Sequence, residues 1–145
     1  MRAARKTDAP KGPWLRSFRT PGRWLALGAA GVLAVIALSL LPAGDLPPSP
    51  FAGSDKVGHV LTYAALSAYA CMLFARMRPQ ALCAAGLIVL GVALEYAQAS
   101  LTDSRMGDSR DALANALGVL LGLATASTPL ALMLQRIDNR LAKTR

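Results

Sequence analysis

Four long apolar blocks alternate with short polar stretches along the chain, at residues 24–41, 57–75, 81–97 and 112–134. Each runs for 17 to 23 residues, about what a helix rising about 1.5 Å per residue needs to cross a hydrocarbon core of roughly 30 Å. The pattern predicts an all-α membrane protein, a bundle of four transmembrane helices. The first block, WLALGAAGVLAVIALSLL, follows basic residues as a signal peptide would. It exceeds a usual signal-peptide core and no clear A-x-A site comes after it, so an uncleaved first helix is expected.

Polar residues break this pattern in one region above all, EYAQASLTDSRMGDSRDALANALG, residues 95–118. Glu95 and Gln98 end the third block on one side of its helix, and Asp111 and Asn115 open the fourth. Such groups cost several kcal/mol in a bilayer unless they meet partners, which marks them as a site. Span two opens DKVGHVLTY, with Asp55, His59 and Tyr63 at four-residue spacing on one face. Asp55 is expected to orient the His59 imidazole, and Glu95 to face the bundle and meet Arg105, Lys56 or His59. Ser54 or Asp55 is expected to cap the second helix, and Asp108 and Asp111 are spaced as an N-cap and its third helical residue. Ala114, Gly118 and Gly122 form a stripe of small residues that lets helices approach closely.

Mean hydropathy of +0.39 and 17% charged residues fit a membrane chain, but the net charge of +8 raises the question of nucleic acid. Thirteen cations lie before span one, between spans two and three, or after span four, whereas the other two loops hold only Lys56, Arg105 and Arg110. This asymmetry follows the positive-inside rule, predicting a multi-pass protein of the cell membrane with both termini cytoplasmic and no nucleic-acid partner. The expected layout is a mobile basic tail at 1–23, a transmembrane domain at 24–134 and a basic cytoplasmic tail at 135–145. Cys71 and Cys83 are read as small buried hydrophobes without disulfide or metal. With this topology the polar ends of spans two, three and four share the extracytoplasmic side. Asp55, Lys56, His59, Glu95, Gln98, Arg105, Asp111 and Asn115 then converge on one outer vestibule.

The order SDKVGHVLTYAAL, GVALEYAQ and SRMGDSRDALANALG resembles the VanZ-like family of small bacterial membrane proteins. The family's pattern is D-K-x-x-H, then E-x-x-Q, then R…D-x-x-x-N-x-x-G, and the likeness covers about half the chain, residues 54–122. By position it implies a polar set of Asp55, Lys56, His59, Glu95, Gln98, Arg105, Asp111, Asn115 and Gly118. The chain departs from the pattern at Thr102, Asp103 and Ser104, where a proline-containing turn is expected, and at Asp108, where serine is common. The family is named for an accessory protein in teicoplanin resistance, and the resemblance assigns no reaction.

The leading expectation is binding or modification of an anionic cell-envelope component, such as a lipid-linked precursor, at the outer leaflet. Lys56 and Arg105 would hold the anion, with membrane lipids as neighbours and no cofactor. Were chemistry to occur, His59 and Glu95 would carry the proton. Ser54, Thr62 and Ser104 lack the G-x-S-x-G setting of a nucleophile. The alternatives are a non-catalytic scaffold locked by the polar cluster and a small proton-coupled transporter relaying through Glu95 and His59. His59, Glu95 and Asp111 offer three metal ligands, but without H-E-x-x-H spacing no metal is assigned.

Overall fold

The computed structural model of the chain describes residues 13–41, 51, 53–101 and 108–143. Five α-helices follow in order: α1 (Pro21–Ser39), α2 (Ser54–Leu73), α3 (Met77–Leu101), α4 (Ser109–Ala124) and α5 (Met133–Leu141). Among the described residues no named strand occurs, only an isolated bridge between Leu15 and Phe74.

Helix α1 starts three residues earlier than the apolar block because Pro21, with its fixed φ, suits a first-turn position. None of its side chains is buried. Leu33, Leu61, Val89, Leu113 and Leu120 point outward from four different helices. An apolar exterior of this kind suits lipid, not water. Helices α1 and α3 are long and apolar enough to cross a membrane, the mark of a membrane protein. Helix α2 has 20 residues, but Asp55, Lys56, His59 and two tyrosines dilute it.

The fourth predicted span, 112–134, is not one straight helix. Helix α4 stops at Ala124, and the apolar run continues through two 3-10 turns (Thr125–Ser127 and Pro129–Leu132) into α5. The two halves are bent by 77°. Hydroxyls at the break accept no ladder role: Thr125, Ser127 and Thr128 donate to the carbonyls three residues back at 2.6, 3.1 and 2.8 Å. Pro129 then has no N–H to give, so competing bonds and a missing donor end the helix together. If the bent pair is one span, the described residues hold up to three helices able to cross a membrane by length and composition.

Helix α2 packs most closely on α4. A methyl group added at Gly118 or Gly122 would fall well inside contact distance of the Val60 or Ala64 carbonyl oxygen. The small-residue stripe thus does what its spacing predicts, and Val119 beside it is fully buried. Ser67 seals the seam by donating to the Val119 carbonyl at 2.8 Å.

The described part of the segment expected as a mobile tail at 1–23 is tied to the bundle, in part through the basic segment after the bend. Arg16 N–H donates to the Leu73 carbonyl at 2.9 Å and Ala75 N–H to the Trp14 carbonyl at 2.8 Å. Asp138 is only 3% exposed and accepts from the Arg19 backbone N–H, the Thr20 hydroxyl and the Trp24 indole. Residues 1–12 of the predicted tail lie outside the described residues.

Candidate functional site

Three helix ends meet at the pole away from Asp138. Helix α2 opens there with Asp55 and Lys56 in its first turn and His59 one turn on. Its N-cap is Gly53, whose φ of 84° suits glycine and which makes no side-chain cap bond. The expected Ser54 or Asp55 cap is therefore corrected: the helix begins at Ser54, which places both residues inside the first turn.

Helix α4 arrives with Asp108 as its N-cap, the carboxylate accepting from Arg110 N–H at 2.9 Å. Asp111 follows in the first turn, where negative charge suits the helix dipole, and Asn115 lies one turn deeper. Because Gly118 lets the two backbones close, these residues reach directly across to α2. Lys56 Nζ lies 2.8 Å from Asp111, 3.1 Å from Asp108 and 3.4 Å from Asp55. The Asp111 carboxylate, followed by that of Asp108, holds the Lys56 ammonium above the usual lysine range. The Arg110 N–H, and after it Lys56, holds the Asp108 carboxyl below its usual range, and the Lys56 backbone N–H chiefly does so for Asp55. Lys56, Asp55 and Asp108 accordingly stay ionised on both sides of neutral pH.

Behind the lysine lies a second, deeper layer. His59 Nδ1 is 2.9 Å from Asn115 Oδ1. An amide oxygen only accepts, so Nδ1 carries the proton, and in the neutral imidazole Nε2 presents its lone pair. That nitrogen faces Asp111 Oδ2 at 3.8 Å, too far for a hydrogen bond. Glu95 comes from α3, is 8% exposed, and accepts from the Asp108 N–H at 3.3 Å. One ligand atom from each of His59, Glu95 and Asp111 lies within 4.8 Å of the others.

The convergence of Lys56, His59, Glu95, Asp111 and Asn115 thus matches the sequence reading, while several pairings do not. Asp55 shares a face with His59 but pairs with Lys56, leaving Asn115 and Asp111 to set the imidazole. Lys56, expected to hold an anion, is surrounded by carboxylates. Gln98 is 6% exposed and donates to the Ser39 carbonyl at 2.7 Å, fastening α3 to the end of α1. Asn115, expected to touch ligand, is 2% exposed and lies over Gly91, where it positions His59. Arg105 lies outside the described residues. The spacing in the sequence marks Asp108 as a cap, and its second role against Lys56 becomes visible only when α2 and α4 are side by side.

Compared with protein-family models, with characterised proteins and with solved structures, the chain matches none.

Proposed function

We propose that the chain is a four-span membrane protein of the VanZ-like kind, with both termini cytoplasmic. In this reading its polar pole binds the headgroup of an anionic envelope lipid or lipid-linked precursor at the outer leaflet. The observation that carries the reading is the gathering of His59, Glu95, Asp111 and Asn115 from three helices at one end of the bundle. Polar groups placed so deep in a membrane chain are expensive without a task. The anion falls to Arg105 and Arg110, because Lys56 is already matched by carboxylates. Headgroup hydroxyls or amines then meet the acidic groups. A second reading, a scaffold in which the cluster only locks the bundle, is favoured by that same lysine lattice.

Topology is tested by cysteine labelling in intact cells. Phe51→Cys, at a position 59% exposed, is expected to react with an impermeant maleimide from outside. Lys143→Cys is expected to react only after permeabilisation, and the reverse result ends the proposal. Function is tested by native mass spectrometry of the purified protein with phosphatidylglycerol and phosphatidylethanolamine. Retention of the anionic lipid is expected to fall about tenfold or more in Arg105→Gln and His59→Ala, about 1.4 kcal/mol or more. Equal retention of both lipids by wild type and variants, together with lower thermal stability of the variants, favours the scaffold.

A further inference from the structure

The cluster beneath Lys56 has the makings of a metal site. It brings an imidazole from α2 and carboxylates from α3 and α4 to one point.

The geometry points to a divalent ion of the zinc class held by His59 Nε2, Glu95 and Asp111 Oδ2. Zinc binds imidazole nitrogen and carboxylate oxygen at about 2.0–2.2 Å, so two ligand atoms at a tetrahedral angle stand about 3.4 Å apart. The His59–Asp111 separation of 3.8 Å is close to that spacing, and a pair at the 4.8 Å limit would draw in by about 1.4 Å. A second observation is independent of these distances. His59 Nδ1 is committed to Asn115 Oδ1 at 2.9 Å, which fixes the tautomer with Nε2 free to coordinate. This is the outer-shell arrangement that metal-binding histidines use. Asp111 is likewise oriented, its Oδ1 held by Lys56 at 2.8 Å while Oδ2 turns inward. Local spacing argued against a metal, but ligands drawn from three helices need no H-E-x-x-H motif. An imidazole in the set favours zinc-class ions over Mg2+ or Ca2+. Three protein ligands leave a fourth position open, where a phosphate oxygen of the headgroup would bind. The bridging role rests on the function proposed above; the ion site does not.

The test is calorimetric titration of the full chain in detergent with Zn2+ alone. Wild type is expected to bind one ion saturably, with Mg2+ failing to compete. His59→Ala should abolish binding, Glu95→Gln and Asp111→Asn should weaken it 100-fold or more, and Asn115→Leu should weaken it about 10- to 100-fold while still admitting one ion. Asp55→Asn, which touches the lysine but not the ion, should change affinity less than threefold. If Asp55→Asn weakens binding as much as Asp111→Asn, the attraction is diffuse acidity and the site is refuted. Persistent binding in His59→Ala, or no saturable binding in wild type, refutes it too. Should a variant fold poorly, melting of the folded fraction gives the same answer, since Zn2+ should raise the midpoint of wild type and Asp55→Asn but not of Glu95→Gln. Bridging is read separately: a chelator should lower anionic-lipid retention as His59→Ala does. Unchanged retention with intact zinc binding overturns the bridge alone.

Discussion

Gly122→Ala, a change of one methyl group, is expected to cost about 3 kcal/mol of stability or more in detergent unfolding. The added carbon would be driven into the Ala64 carbonyl oxygen, the Ser67 Cβ and the Ala68 backbone nitrogen. Two of these three are main-chain atoms on the facing helix, so no rotamer change relieves the overlap. The helices must separate, and with them go the packing of fully buried Val119 and the Ser67 bond to its carbonyl. Gly118→Ala is expected to act alike through the Val60 carbonyl. It also bears on the site, because it pushes Asn115 away from His59. Gly86→Ala supplies the control: nothing lies within 4 Å of its added carbon, and exchange of glycine for alanine in a helix should leave stability unchanged or raise it by up to about 1 kcal/mol. Equal unfolding of Gly122→Ala and wild type would show that α2 and α4 are not held at this distance.

This close approach also explains which parts of the site were legible in the sequence. Helical periodicity correctly put Asp55 and His59 on one face, and hydrophobic blocks showed that Glu95, Asp111 and Asn115 interrupt apolar surroundings. Periodicity describes one helix at a time, however. The partner of His59 is decided across the α2–α4 seam, where Asn115 and Asp111 come nearer than the residue one turn away on the same helix. The role of Lys56 was hidden for the same reason, since its carboxylates come from two helices. The bend after α4 had a visible signal in Thr125, Ser127, Thr128 and Pro129. A hydropathy window sums over such a break, because weakly polar hydroxyls lower the average little while redirecting the hydrogen bonds. Asp138 was invisible in a run of basic residues, though a single acid among them is the natural acceptor for donors arriving from elsewhere.

Removal of that acid is expected to have the other large effect. Helix α1 has no fully buried side chain; Val32, Val35 and Trp24 pack in part against the core, and polar ties fasten its ends. At one end Gln98 reaches the Ser39 carbonyl, and at the other Trp24 bonds Asp138 through its indole while its carbonyl accepts from the Tyr69 hydroxyl at 2.8 Å. Asp138→Ala strands three donors, the Arg19 N–H, the Thr20 hydroxyl and the Trp24 indole. The expected loss is about 3 kcal/mol, with a shift in the fluorescence of Trp24, one of only two tryptophans. Asp138→Asn keeps one accepting oxygen and should lose less. Burial pushes the Asp138 carboxyl up, but the bonds from Trp24, Arg19 and Thr20 outweigh it and hold the group below its usual range. A folded-state value below the unfolded one of about 3.9 means that the contribution is complete above that pH and disappears as acid titrates the folded group. The stability gap between wild type and Asp138→Ala should therefore be constant from neutral pH down to about 5 and narrow below about 4. A gap that ignores acid would mean that the carboxylate's charge plays no part in fastening α1, and that three neutral hydrogen bonds suffice.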